Sequence, residues 1–307
     1  MRVLFFGTPA FAVPSLEALL AAGIDVAAVV SQPDRVAARS HSTLVAPPVK
    51  QCALAAGIPV WQPERPRGEA FLADVRALAP DLGIVVAYGH LLRPELLAIP
   101  RLGMVNVHAS LLPRWRGAAP VQWALLANDR ETGVSIMRVE AGLDTGAVWH
   151  RIVSPISEDD TVDTLTHRLA QLGADALAEA LPRIAQGTTP VPQDDAGATL
   201  APKVDRALAR IRWEESADAM VGRIRAMDPT PGAWTVLAGQ EVKLFGARVF
   251  ATTPALPGSV LTTHPRLLIA CGEMAIDVSE VQPAGKRRMP AAEWLNGAPL
   301  QAGARFT

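Results

Sequence analysis

The strongest constraint on this chain is a repeated alternation of short apolar runs with helical segments. "RVLFFG" is apolar up to Gly7, "PSLEALLAAG" follows with helical spacing and a terminal Gly23, and "DVAAVVS" is a second apolar run ending at Ser31. Strand, helix and strand at this spacing make a βαβ unit, which favours a parallel sheet. The pattern goes on with a helix from about Glu69 to Ala79, a strand "LGIVVAYG", a short helix around Pro94 to Ala98 and a strand "GMVNVH". A helix "AAPVQWALLAND", a strand "GVSIMRVE" and an amphipathic helix around Asp163 to Ile184 complete it. An α/β domain with a Rossmann-like, doubly wound and mostly parallel sheet is predicted over residues 1–186.

Beyond that point the texture changes. "QGTTPVPQDDAGATLAPKVD" is rich in Pro, Gly, Thr and Asp and has no apolar periodicity, so residues 187–203 are read as a linker. "SADAMVGRIRAMD" then reads as one helix, followed by "AWTVLAG", "EVKLFGARVF", "GSVLTT", "RLLIACG" and "MAIDVSEVQP", separated by turn residues. Short strands at this spacing predict a small OB-like β-barrel domain over residues 204–307.

Composition excludes several classes. Half of the 307 residues are hydrophobic and the formal net charge is −1, which suits a folded globular chain. No apolar run reaches the roughly 18 residues of a membrane span. "MRVLFFGTP" reads as an opening strand rather than a signal peptide. Cys52 and Cys271 are the only cysteines, and the histidines at 41, 90, 108, 150, 167 and 264 lack ligand spacing, so no disulfide framework and no metal site are expected. A cytoplasmic protein, and a monomer, are expected. Charge is uneven: residues 1–199 carry 16 Lys and Arg against 20 Asp and Glu, and residues 200–307 carry 13 against 10. The small positive excess in the second half is compatible with a nucleic-acid partner.

The chemistry concentrates in two places. "GTPAFA" after the first strand is neither G-x-G-x-x-G nor a P-loop, so a dinucleotide is disfavoured although the fold is Rossmann-like. Asn106 and His108 sit two apart on a strand and share one face, while Val105 and Val107 take the other. Polar side chains near the C-terminal end of a parallel strand point to a ligand crevice, or else to a satisfied structural pair. Asp144, in "EAGLDTGAV" between Gly142 and Gly146, lies in a tight loop as a site carboxylate or a turn residue. Together Asn, His and Asp supply an oxyanion donor, a proton-transfer group and a carboxylate to orient the imidazole. No Ser or Cys nucleophile stands at a recognisable elbow, so the site reads as one that assists a substrate's own nucleophile.

"NVHASLLPRWRGAAPVQ", with "GVSIMRVEAGLDTG" downstream, resembles the folate-dependent formyltransferases. The resemblance puts Asn106, His108 and Asp144 on the catalytic positions and Ser110, Leu111, Leu112 and Pro113 on the tetrahydrofolate-contacting segment. It also places Tyr88 and Gly89 of "VVAYG" at the cofactor. "FFGTPAFAVPSLEAL", "SQPDR", "SLLPRWRGAAP", "MDPTPGAWT" and "QPAGKRRM" are similar to the branch that formylates methionine esterified to initiator tRNA. That branch implies 10-formyltetrahydrofolate as formyl donor, no metal, and initiator methionyl-tRNA as partner. It implies an attack by the neutral amine, with Asn106 donating to the oxyanion. His108 would move protons towards the folate leaving nitrogen, and Asp144 would hold His108 and position a water.

Basic residues are the candidates for tRNA contact. Arg114 and Arg116 lie beside the folate segment, where they contact the substrate or shape the site, with Trp115 between them as a packing residue. Lys203, Arg206, Arg210, Lys243, Arg248, Lys286, Arg287 and Arg288 lie in the second domain, each alternatively a solvated surface charge. One departure stands out. After "SQPDR" the family usually continues Pro-Ala-Gly-Arg-Gly in a mobile loop, whereas this chain reads "VAARSHSTLVAPPVK" and keeps Arg39 and His41 as possible contacts. Loss of the glycines and of positive charge implies altered tRNA engagement with unchanged folate chemistry. Enzymes that formylate glycinamide ribonucleotide share the triad but lack the second domain. Those acting on amino-sugar nucleotides usually carry other residues at positions 114–116. A noncatalytic RNA- or folate-binding derivative is the non-enzyme alternative, and the intact triad argues against it.

Overall fold

The computed structural model describes residues 1–36, 44–263, 266–297, 300 and 304–307. The chain forms two compact units: residues 1–117, 132–155 and 166–200 in the first, and 118–131, 156–165 and 201–307 in the second.

The first unit is built on seven strands. They are β1 (Arg2–Gly7), β2 (Asp25–Val30), β3 (Val60–Trp61), β4 (Leu82–Val86), β5 (Met104–His108), β6 (Glu131–Arg138) and β7 (Val148–Pro155), in the order β7-β6-β5-β4-β1-β2-β3. Pairing is parallel from β3 through β5 and turns antiparallel between β5 and β6. Val3, Leu4, Phe5 and Phe6 are all completely buried, as expected of a strand covered on both faces. The helices Val13–Ala21, Glu69–Leu78 and Pro94–Leu97 fall within a residue or so of the sequence reading. A helix Pro48–Ala55 and the two edge strands β3 and β7 come in addition, the helix opening on a proline whose missing N–H costs nothing there.

Strand order runs outward from β1 to β3 on one side and from β4 to β5 on the other. The reversal between β1 and β4 is a topological switch point, and open α/β sheets bind ligands outside the strand C-termini there. Thr8 follows β1 at that edge and donates its hydroxyl to the Tyr88 carbonyl at 3.2 Å, while Gln32 Nε2 donates to the same oxygen at 2.8 Å. β5 is the next strand along, so His108 ends on the same rim. Val107 points the other way, and a Cβ at Gly173 in the long helix Val162–Ala185 would stand only 2.9 Å from its Cγ1. That close approach holds the strand from behind.

In the second unit the helix Ala217–Met227 is capped by Ser216, whose Oγ accepts from the Ala219 N–H. Strands β8 (Ala233–Leu237), β9 (Gln240–Phe250), β10 (Val260–Thr262), β11 (Leu267–Ala270) and β12 (Ala275–Pro283) form an antiparallel sheet in the order β8-β9-β12-β11-β10, with β13 (Met289–Pro290) beside β12. Each segment that reads as a short strand in the sequence is one. Residues 304–307 join the two edges. Val236 and Thr307 exchange backbone hydrogen bonds at 3.0 and 2.9 Å, and Phe306 N–H donates to the Gly258 carbonyl and Val260 N–H to the Ala304 carbonyl. The result is a curled, OB-like sheet whose exposed edges are occupied.

Candidate active site

His108 is 5% exposed, and both of its ring nitrogens face acceptors. Nε2 lies 2.9 Å from the Trp115 carbonyl oxygen. A carbonyl only accepts, so Nε2 carries a proton and the tautomer is fixed. Nδ1 then faces Asp144 Oδ2 at 3.7 Å. The carbonyl is aimed at the ring because Trp115 adopts a left-handed backbone, φ +62°. Asn106 pairs with Val85 on one side and Met137 on the other, and its side chain is half-buried. Among the described residues nothing hydrogen-bonds its amide, which is left to donate to a ligand.

Asp144 stands in the loop between β6 and β7. A side chain at Gly146 would place Cβ 2.0 Å from the Arg138 carbonyl oxygen, so only glycine lets the loop fold back onto the strand. Asp144 itself has φ +51°, a conformation an aspartate tolerates better than most residues but at some cost. Three contacts hold it. Its Oδ2 accepts from the Gly117 N–H at 2.9 Å, and Gln193 Nε2 donates to the Asp144 and Gly146 carbonyls at 2.8 and 2.7 Å.

Between these groups runs the segment 110–113, and its polar atoms turn inward. Ser110 Oγ donates to the Arg114 carbonyl at 2.6 Å. Fully buried Ser135, opposite His108 on β6, donates to the Ser110 carbonyl at 2.7 Å and accepts from the Leu112 N–H at 3.1 Å. The Leu112–Pro113 peptide is cis, and Arg151 Nε donates to the Leu112 carbonyl at 3.0 Å. Leu112 is buried, whereas Leu111 and Pro113 are half-buried and offer apolar surface to a ligand.

The formyl transferase family model matches residues 1–181, and a second model, formyl transferase C-terminal domain, matches residues 203–299. The chain belongs to the formyl transferase family. The curated methionyl-tRNA formyltransferase of Methylococcus capsulatus is 47% identical to it over 96% of this chain and 96% of its own length. The methionyl-tRNA formyltransferase of Thiobacillus denitrificans is 47% identical over 100% of this chain and 99% of its own. Solved structures share the fold at lower identity. WlaRD, a sugar 3N-formyl transferase crystallised with dTDP and 5-N-formyl-THF, superposes with a TM-score of 0.70 at 17% identity, covering 94% of this chain and 99% of that one. HypX from Aquifex aeolicus in complex with tetrahydrofolic acid gives 0.63 at 19% identity, covering 100% of this chain and 50% of that one.

In this formyl transferase the remaining candidates fall into separate groups. The Tyr88 ring is packed in an apolar cluster with Phe6, Leu92 and Met104; its hydroxyl has no hydrogen-bond partner among the described residues and burial pushes the phenol up to about 12. What Tyr88 presents at the crevice is its carbonyl, and Gly89, with φ +84°, leaves room for Gln32 beside it. Arg114 is exposed with its guanidinium 4.4 Å from the Trp115 ring centroid. Arg116 is 7% exposed and committed: Gln193 Oε1 accepts from its Nε and Nη2 at 3.0 and 2.9 Å, and Asp195 accepts from Nη2 at 2.7 Å. Arg39 and His41 lie outside the described residues.

The basic candidates of the second unit also differ in availability. Arg288 pairs with Asp228 at 2.7 Å and Glu280 at 2.5 Å and covers the Phe245 ring at 4.1 Å. Arg287 is exposed and within 3.7 Å of Glu293. Lys203 and Lys286 are exposed, with no ion pair among the described residues. Arg206, Arg210, Lys243 and Arg248 are also engaged, with Trp234, the Pro231 carbonyl or a nearby acid. Ser135, Arg151, Gln193 and Thr199 shape the site without any motif of their own.

Proposed function

We propose that this enzyme transfers the formyl group of 10-formyltetrahydrofolate to the α-amino group of methionine carried on initiator tRNA, and that Asn106, His108 and Asp144 perform the transfer. The observation that carries this reading is the His108 ring pinned between the Trp115 carbonyl and Asp144, beside an Asn106 amide that bonds nothing among the described residues. Full-length similarity to proteins named methionyl-tRNA formyltransferase supports the acceptor.

The folate donor supplies the formyl carbon when bound, and the half-buried faces of Leu111 and Pro113 beside the free Asn106 amide suit it. As the amine attacks, the new C–N bond puts negative charge on the formyl oxygen. The Asn106 amide donates to that oxygen, a contribution of about 3–4 kcal/mol for a donor of this kind. The tetrahedral centre then collapses with cleavage of the bond between the formyl carbon and the folate nitrogen, and the proton lost by the amine must reach that leaving nitrogen. With the Nε2 proton spent on Trp115, Nδ1 is the nitrogen that exchanges protons, and the Asp144 carboxylate stabilises the charged ring and orders water on that side.

Lys203, Lys286 and Arg287 are proposed to meet the phosphate backbone, since their charge is not consumed by tight ion pairs. Arg114 and the altered segment 36–46 are proposed to meet the aminoacylated end. The enzyme is proposed to work as a monomer in the cytoplasm. Assaying the protein with 10-formyltetrahydrofolate and either methionyl initiator tRNA or a free amino-sugar nucleotide tests the reading. Formylation of the tRNA alone is expected; formylation of the sugar nucleotide alone overturns it.

A further inference from the structure

Residues 187–200 read as a linker in sequence, yet they are packed into the first unit along the site. Val191 and Val148 exchange backbone hydrogen bonds at 2.8 and 2.9 Å, which lays the segment against the start of β7. Two of its side chains bond the backbone of the two residues whose acceptors face His108. Gln193 uses its whole amide: Nε2 donates to the Asp144 and Gly146 carbonyls, and Oε1 accepts twice from buried Arg116. Thr199 brackets Trp115: its Oγ1 accepts from the Trp115 N–H at 2.9 Å, its carbonyl accepts from the Arg116 N–H at 2.9 Å, and its N–H donates to the Pro113 carbonyl at 3.3 Å.

Both anchored residues, Asp144 and Trp115, have left-handed backbones without being glycine. Such conformations persist only where the surroundings over-determine them. Gln193 supplies this for the carboxylate facing Nδ1, and Thr199 for the carbonyl that fixes the Nε2 proton.

We propose that residues 187–200 form a positioning strap for the catalytic histidine, with Gln193 and Thr199 as its two positioning residues. The inference rests on His108 and Asp144 being the proton-handling pair. The strap touches no reacting atom. It holds the ring and its carboxylate in register for proton transfer, so its loss appears in the chemical step and leaves substrate binding alone.

Two substitutions separate positioning from folding. Gln193→Glu keeps an oxygen for Arg116 and removes both donors from the Asp144 and Gly146 carbonyls. Thr199→Val keeps the side-chain shape and removes the acceptor of the Trp115 N–H. In single-turnover formyl transfer each variant is expected to lose about 10- to 100-fold in rate, the scale of a small misplacement of a catalytic group. KM for folate and tRNA stays within about twofold of wild type, since binding is not what is lost. The ¹⁵N resonance of His108 Nδ1, assigned with His108→Asn, is expected to move in Gln193→Glu as it does in Asp144→Asn. Wild-type transfer rates in both strap variants, while Asp144→Asn is inactive, overturn the strap and leave the formyl-transfer reading standing. A loss of rate that merely tracks loss of folded protein overturns it too. If the wild-type protein transfers no formyl group, the functional reading has failed, and the resonance still decides whether the strap orients the ring: an unmoved resonance in both variants contradicts it.

Discussion

Residues 104–117 and 187–200 build the same site but carry different kinds of information. The first holds Asn106 and His108, two of the three groups proposed to do the chemistry, set on a buried strand whose period-two pattern fixes their direction. The second holds no reacting group, and its contribution is a set of hydrogen bonds to backbone atoms far away in sequence. Gln193 is 49 residues from Asp144, and Thr199 is 84 from Trp115. On the proposed mechanism, the reacting groups and the contacts that position them are encoded apart, the former largely in a dense motif and the latter in a stretch with no periodicity at all.

The widest separation between the two should come from removing the reacting groups. Asn106→Ala and Asp144→Asn are each expected to lower kcat about 10²- to 10³-fold, the effect of deleting an oxyanion donor or its equivalent. The thermal midpoint should barely change, because the Asn106 side chain bonds nothing among the described residues and Asp144→Asn keeps an oxygen for the Gly117 N–H. Rapid-quench kinetics with parallel calorimetry measures both quantities. A large fall in stability with a small fall in rate would put these residues in the scaffold and erase the distinction from the strap.

A second contrast lies among the arginines. Arg288 shields Asp228, which is 5% exposed, so Arg288→Ala leaves a carboxylate without its partner and should cost about 1–3 kcal/mol of stability. Lys286→Ala, two residues away, should leave stability unchanged. It should weaken tRNA binding modestly at all sequences and lower the salt dependence by about one unit of log Kd per log salt. Denaturant titration and filter binding across a salt series distinguish the two. Equal effects of both substitutions on both measurements would remove the difference drawn between a structural and a substrate-facing cation.

The sequence makes the strand–helix alternation, Asn106 and His108 on one face, and the Gly-flanked Asp144 loop legible, because each depends on local spacing. It does not show Ser135, Gln193 or Thr199, since a serine or glutamine that bonds a distant carbonyl leaves no repeat to detect. Charge is equally opaque. Arg116 and Arg288 look like Lys286 until Asp195, 79 residues from Arg116, and Asp228, 60 residues from Arg288, are found beside them. The closure of the small domain by residues 304–307 is hidden for the same reason, being backbone pairing by a stretch too short to read as a strand.

Grafting a glycine-arginine loop over residues 36–46 probes the segment proposed to meet the aminoacylated end. A several-fold gain in kcat/KM for tRNA with an unchanged KM for folate is expected, and no gain would mean the loop as written is adequate. The smallest effect concerns the base of that segment. The Gln62 hydrogen bond, then that of Lys50, holds the Asp34 carboxyl below its usual value of 3.8. A lowered carboxylate stabilises the fold above its ordinary value, and that stabilisation is lost as pH falls through the lowered one. Asp34→Asn should accordingly flatten the most acidic part of the unfolding curve and leave stability at neutral pH only slightly reduced.

The central claim is that this site moves a formyl group to the amine of methionyl initiator tRNA through Asn106, His108 and Asp144. Its most direct test is a single-turnover assay with 10-formyltetrahydrofolate labelled in the formyl carbon, comparing wild type with Asp144→Asn. The account predicts label on the tRNA-bound methionine with the wild-type enzyme and almost none with the variant. Label transferred equally by both proteins, or by neither, would contradict it.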